Sequence, residues 1–500
     1  MSLGIVSRQT EVFATTTSFC AGRVAEDSIY GLLHRECFRL FPDELFADLF
    51  GAAGRRSVPP MIVAVVMVLQ RIEGCSDREA VERFTYDVRW KYAAGGLGFD
   101  HPGFVHTVLV DMRARLAASG RPERIFAVVL ETAKRAGLLG RRRVLDSTAL
   151  YDAVATMDTV TLIRSAIRAL LGACERGPEQ ELRALLGRED DDRRAGKPVC
   201  DYDDPDARAA LIDALAKDAR ALLVALDGRA LSAALGQAAR LLATVLGQDL
   251  DEGSDGVFRI ARRVARERVI STVDPDARHG HKTSASGFDG FKGHVAVCPD
   301  SELITATTVT GGNLGDAAPA PGLLAEELPG ADPEPAADPK PAADPEPAEP
   351  GPAAAADGEP AAEDERLAVY GDAAYGAGGL LDTLERAGAE VMCKVQRPVA
   401  PGGRYAKDAF AIDLHAGTVT CPAGQIAPLR AVADGRVARF GPACRGCPLA
   451  ARCTASADGR SVSVGPHEAP LTRARQRQTD RDWQADYRAT RPRSNARSPT

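Results

Sequence analysis

The sequence predicts an α/β protein in which long helices precede and interrupt a mixed sheet. Three observations predict it. Apolar residues recur at helical spacing up to about residue 140 and again over 159–246. Short apolar segments of strand composition stand at 142–148, 291–298 and 303–310. Past residue 366 a strand, a helix and a second strand alternate, the pattern of a βαβ unit.

The elements follow in order. Ser57, Pro59 and Pro60 make a helix start, continued by the apolar run 61–72. Gly74 and Cys75 break it, and Ser76-Asp77-Arg78-Glu79 has the S-x-x-E form of a capping box, opening a second helix to about Tyr86. Two helices across a tight turn fit either a helical hairpin or a helix-turn-helix DNA reader. A third helix over 105–118 ends at Gly120, with Pro122 beyond. The Ala/Leu-rich helices of 159–246 are broken by the polar stretch 188–206. The segments 291–298 and 303–310, joined by 299–302, read as a β-hairpin. Residues 331–348 repeat one hexapeptide three times (ADPEPA, ADPKPA, ADPEPA). The surrounding 326–366 is expected to be a disordered, extended linker. A strand at 367–371, a helix near 380–387 and a strand near 391–395 follow, then a Cys-rich module and an Arg-rich tail.

Composition narrows the function. At 500 residues and 45% hydrophobic, the chain is long enough for more than one domain. The start carries no secretory pattern and the longest strongly apolar stretch, 61–69, is too short for a bilayer, so a soluble, cytoplasmic protein with no membrane partner is expected. The net charge of −7 is misleading: the linker holds 13 acidic and 2 basic residues, which leaves the rest of the chain at +4. A mildly basic body with Arg clusters suits a polyanion, though weakly. No GxxxxGK[ST] or GxGxxG occurs, so neither a P-loop nor a dinucleotide fold is indicated.

Two aspartates stand at strand tips. Asp146 ends the apolar Val144–Leu145 segment, and Asp372 ends Ala368–Gly371. A tip displays a carboxylate on rigid support, and two tips side by side would hold hard divalent cations by oxygen. Taken singly, either is more often a strand-end cap or turn residue, and 226 residues separate them. Cys444-x2-Cys447-x5-Cys453 with Cys421 upstream is a self-contained signal for tetrahedral zinc, with Pro422, Gly424, Gly446 and Pro448 supplying turns. The alternative is four reduced cysteines in a small lobe. Cys20, Cys37, Cys75, Cys174, Cys200, Cys298 and Cys393 are scattered and read as packing residues.

Taken in order, RVLDSTAL, DPDARHGHKTSASGFDGFKGHVAV, TVTGGNLGDA and VYGDAAYG resemble the catalytic core of DDE insertion-sequence transposases. The upstream YDVRWKYAAGGLGFD and the helices before it resemble the InsH-type N-terminal domain of such enzymes. The resemblance implies an RNase H-like catalytic core, an N-terminal helical domain, a helical insertion and a small Cys-rich lobe. The domains are then 1–140 (helical, DNA-binding), 141–325 (first part of the core, with the insertion at about 159–268), the linker 326–366, 367–400 (second part of the core), 401–465 (zinc-ribbon-like lobe) and 466–500 (basic tail with a truncated final helix). It also implies Asp146 and Asp372 as the first two acids of a magnesium (or manganese) site, and zinc on Cys421, Cys444, Cys447 and Cys453. The partner would be double-stranded DNA, both terminal repeats and target, bound by a homodimer. Arg141, Arg142, Arg143, Arg262, Arg263, Arg266, Arg268 and Arg491 are candidate phosphate contacts; His279, His281 and Lys282 face DNA, the metal centre or only the fold.

The third acid of the implied triad is missing. Related enzymes place it in a context like Y-x3-R-P-x-V-E-R, and WQADYRATRP approaches that with Tyr487, Arg491 and Pro492. Asn495 then stands where Glu is expected. One explanation is a frameshift: the degenerate code permits, without compelling, a set of codons for 493–500 that gives Val-Glu-Arg in a shifted frame. Glu468, in a Gly-Pro-His-Glu-Ala-Pro setting read as a loop, is the fallback. The rival to an active transposase is a catalytically inactive remnant that only binds DNA.

Overall fold

The structure is a computed structural model describing residues 15–51, 56–151, 156–188, 190, 194, 196–261, 265, 267–283, 286–328 and 366–491. Contacts divide the chain into two units, Met1–Leu139 and Gly140–Thr500. Arg262, Arg263, Arg266, Asn495 and nearly all of the 326–366 segment lie outside the described residues.

The first unit is helical: α1 (Thr16–Cys20), α2 (Ile29–Leu40), α3 (Pro60–Glu73), α4 (Asp77–Tyr86), α5 (Val88–Ala93), α6 (Thr107–Ala118) and α7 (Arg124–Arg135). α3 starts on Pro60 and is buried over most of its length, Met61 through Val66 and Leu69 included. It stops at Gly74, whose φ of 64° is left-handed. α4 opens on the expected capping box: Ser76 accepts from the Glu79 N–H while Glu79 accepts from the Ser76 N–H. Trp90 is fully buried against α3 and donates to Glu73 Oε1 at 3.0 Å.

The second unit is mixed α/β. β1 (Arg142–Tyr151) is followed by α8 (Thr159–Gly172), α9 (Arg176–Arg183), α10 (Pro205–Leu226), α11 (Ala233–Asp249) and a small ribbon, β2 (Leu250–Glu252) with β3 (Phe258–Ile260). These helices close on their own apolar core, Leu162, Ile163, Leu170, Leu215, Leu222 and Leu242 among its members. Then come β4 (Arg278–Thr283), β5 (Ser286–Cys298), β6 (Leu303–Gly311), α12 (Ala320–Leu323), β7 (Ala368–Gly371), α13 (Gly378–Arg386) and β8 (Glu390–Cys393). β1 runs antiparallel to β5 and parallel to β7, and β7 is parallel to β8; β5 carries β6 on its outer edge and β4 along its first residues. The hairpin and the βαβ unit stand where the sequence placed them, within a few residues. β5, however, begins five residues before the expected 291, and the polar β4 was not anticipated.

A separate antiparallel sheet follows, in order β9 (Ala411–Asp413), β10 (Thr418–Thr420), β11 (Ile426–Val432), β12 (Gly435–Arg439) and β13 (Ser461–Val464). α14 (Ala450–Cys453) packs with it, and α15 (Glu468–Arg477) and α16 (Arg481–Thr490) return the chain to the mixed sheet. α15 corrects the sequence reading of Glu468: it begins a helix, is 4% exposed, and is not in a loop.

Candidate functional site

Register explains how the two distant aspartates meet. β1 and β7 are parallel with Val144 opposite Tyr370, so Asp146 and Asp372 each lie two residues further along neighbouring strands. Neighbouring strands are about 4.8 Å apart. Asp146 Oδ1 accepts the Ser147 N–H at 3.0 Å, and Asp372 Oδ1 accepts the Ala374 N–H at 2.9 Å, an Asx turn that carries the chain away from the sheet. Gly376 in that turn has no room for a side chain: a Cβ there would stand 2.1 Å from the Lys394 carbonyl oxygen.

α16 completes the site. Trp483 and Tyr487 stack with ring centroids 5.1 Å apart and pack with Val144, Ala368, Tyr370 and Met392. The Tyr487 hydroxyl donates to the Gly371 carbonyl at 3.2 Å, and burial pushes its phenol up to about 12. Tyr370 donates to Asp486, which ties the strand to the helix again. Arg491, next after α16, is thereby set between the acids. Its Nη2 lies 3.4 Å from Asp146 Oδ1 and 3.2 Å from Asp372 Oδ2, and its Nη1 donates to the Leu145 carbonyl. Its side chain is only 9% exposed, whereas Asp372 is 49% exposed, so the pair opens to solvent on the Asp372 side. Among the described residues, two carboxylates on one guanidinium leave a net negative charge. Behind them the Cys393 thiol is fully enclosed, and burial pushes it up to about 12.

The sequence offered Arg491 for DNA phosphate; here its guanidinium bridges the acids. Arg142 pairs with Asp300, Arg143 with Glu327 at 2.8 Å, and Arg268 with Asp249 through two bonds of 2.7 and 2.6 Å. Arg141 precedes β1, its carbonyl accepting the Ala368 N–H. His279 Nδ1 is 2.8 Å from Asp289 Oδ1, with His281 edge-on to its ring, both on β4. Glu468 pairs with Lys407 and, at 3.2 Å, with Arg475.

The four cysteines of the lobe line one small pocket, closed by Tyr405, Phe440 and Leu449. Cys421 is in the turn between β10 and β11, Cys444 accepts the Arg460 N–H at 3.3 Å, and Cys453 ends α14. All eleven cysteines are free thiols. Burial, with the other three cysteines near it, pushes the Cys453 thiol up. Four thiols around one pocket suit zinc as a donor set. Among the described residues, however, no group of three or more His, Cys, Asp or Glu is arranged to hold a metal. This holds for the lobe and for the acid pair alike.

Two family profiles match the chain: Transposase domain (DUF772) over residues 27–115, and Transposase DDE domain over residues 420–495. Both matches are to transposase domains, and together they support an insertion-sequence DDE transposase. The first match spans α2 to most of α6; the second runs from the end of β10 through α16 and reaches Asn495. Asp146 and Asp372 lie outside both matched segments. No curated protein and no solved structure matches the chain. No helix among the described residues is long and apolar enough to cross a membrane.

Proposed function

We propose that this transposase cuts and rejoins phosphodiesters at insertion-sequence ends through a divalent-metal site on Asp146 and Asp372. One observation carries the reading: Asp146, inside β1, and Asp372, just past the end of the parallel β7, stand level on neighbouring strands, and the Arg491 guanidinium bridges their carboxylates. The sheet adds support. With its strands taken as β6, β5, β1, β7 and β8, the first three antiparallel and the last three parallel, it has the order of an RNase H-like core. The acids then occupy its first and fourth strands.

A phosphodiester anion repels nucleophiles, so the residues must mainly neutralise charge and fix alignment. Magnesium or manganese, when bound, would activate water or a DNA 3′-hydroxyl and stabilise the leaving oxygen. Asp146 and Asp372 offer hard oxygen donors, each with one oxygen already oriented by a backbone N–H. Arg491, released from the acids, would be next to the incoming phosphate and able to neutralise it. The helices of the first unit would read the terminal repeat, a homodimer would hold two ends together, and the cysteine lobe would take structural zinc.

A second reading has its own support. Among the described residues no third acid joins the pair, and Asn495 stands where the motif calls for Glu. The 500-residue chain would then bind ends without cutting them. Magnesium-dependent nicking of end-bearing DNA separates the two. The active reading expects cleavage that Asp146→Asn or Asp372→Asn removes while DNA binding persists. The remnant reading expects binding alone, with cleavage gained in Asn495→Glu. A chain that neither binds nor cuts such DNA overturns both.

A further inference from the structure

The face of β1 opposite Asp146 carries a second charged cluster. Side chains alternate along a strand. Asp146 therefore points with Val144 toward α16 and Arg491, whereas Ser147 points with Leu145 into the core that contains Tyr375 and α13. On that side the Ser147 hydroxyl donates to Asp316 Oδ2 at 2.7 Å. Lys292, from β5, donates to Asp316 Oδ1 at 2.8 Å and to the Leu314 carbonyl at 2.9 Å. The Lys292 and Asp316 side chains are 13% and 14% exposed. A largely buried ion pair contributes little net stability, because desolvation offsets the attraction.

The surroundings are strained in hydrogen bonding as well. Tyr375 is wholly buried beside Ser147, and its hydroxyl has no partner in good geometry. Burial, with Asp316 and then Asp146 nearby, pushes its phenol far up. His294, opposite Ser147 on β5, is 1% exposed and bonds Thr310 through Nε2, while its Nδ1 is unpartnered. Such unsatisfied groups are costly in a core and are tolerated mainly where function holds them.

We propose that Asp316, clamped by Lys292, is a positioning residue for Asp146 and acts through Ser147. Asp316 fixes the Ser147 hydroxyl and with it the peptide whose N–H donates to Asp146 Oδ1. Asp146 is then left with its second oxygen oriented for a cation on the opposite face of the strand. The inference rests on reading Asp146 as a metal-binding acid. Outer partners of this kind orient a ligand without touching the metal, and their loss costs about 10–100-fold in metal affinity.

The test is Mn2+ titration of the full chain, read by the electron paramagnetic resonance of free Mn2+, with melting temperature followed in parallel. Asp316→Ala and Ser147→Ala are each expected to weaken Mn2+ binding about 10–100-fold. The double variant should be no weaker than Asp316→Ala alone, since both act on one chain of contacts. Ser147→Thr, which keeps the hydroxyl, should restore binding. A lowered melting temperature with unchanged Mn2+ affinity in both single variants overturns the positioning role and leaves the metal reading intact. If Asp316→Ala does not fold, Ser147→Ala decides alone. Wild-type protein that binds no Mn2+, or binds it equally well as Asp146→Asn, overturns the metal reading and the positioning role together.

Discussion

Two carboxylate clusters of the second unit solve the same electrostatic problem in opposite ways. At the mixed sheet, Asp146 and Asp372 share the single cation of Arg491. At the start of α15, the single carboxylate of Glu468 is held by two cations, Lys407 and Arg475. The first cluster has an acid to spare and the second a base. A divalent cation would find attraction at the first and repulsion at the second. Glu468 therefore has the chemistry of a structural ion pair, although its sequence position made it a candidate third acid.

The comparison can be broken in four ways. The largest effect is expected at the acid pair. In a cleavage-competent chain, such as Asn495→Glu if the remnant reading holds, Asp146→Asn or Asp372→Asn should lower strand cleavage by about 10³-fold or more, the scale of losing a catalytic group. Gel-shift affinity for end DNA should hold within a few-fold. Cleavage surviving in both variants would remove these residues from the chemistry.

Next comes Glu468→Gln, which takes from Lys407 and Arg475 the carboxylate they share. Each of those is about a quarter exposed, so the loss is expected near 2–3 kcal/mol in chemical denaturation rather than the full cost of a buried pair. Mn2+ affinity should not move. A loss of metal binding with normal stability would restore Glu468 as a ligand.

Third, Arg491→Gln leaves two carboxylates facing each other with no cation between them. Mn2+ should then bind about tenfold more tightly, roughly the 1.4 kcal/mol of one displaced ion pair. Weaker binding would mean that Arg491 organises the pair rather than occupying it. The smallest effect belongs to Arg475→Met, which removes the surplus base while Lys407 keeps Glu468 paired. A change within about 1 kcal/mol is expected by thermal denaturation. A larger drop would show that Glu468 needs both cations.

The sequence disclosed whatever depends on neighbours along the chain. The Ser76–Glu79 capping box, the Pro60 start and Gly74 stop of α3, and the β5–β6 hairpin are local patterns. The strand β4 was hidden because Arg-His-Gly-His-Lys-Thr lacks apolar alternation; it is extended because β5 pairs with it. The five short strands of the cysteine lobe likewise have little pattern of their own. At the site, both acids were expected at strand tips; Asp372 does follow the end of β7, but Asp146 lies inside β1, which β5 keeps extended to Tyr151, and their approach depends on the β1–β7 register. Arg491 was visible as a cation and assigned to phosphate, since nothing near it in sequence names its carboxylate partners. Asp316, within the TVTGGNLGDA block, was not singled out, since its partners Lys292 and Ser147 come from strands distant in sequence.

The parallel pairing of β1 with β7 also bears on how such a chain tolerates growth. The level of Asp372 relative to Asp146 is fixed by strand register, and the chain between them leaves the sheet and returns to it. Lengthening a connection from Leu328 to Arg366 by more copies of the repeated hexapeptide would not shift that level. Even for a fully flexible connection, the entropy of closure rises only logarithmically, by about 0.6 kcal/mol for each doubling of length. Repeat expansion at this point is thus nearly neutral for the acid pair, whereas one residue gained or lost within β7 would turn its side chains to the opposite face.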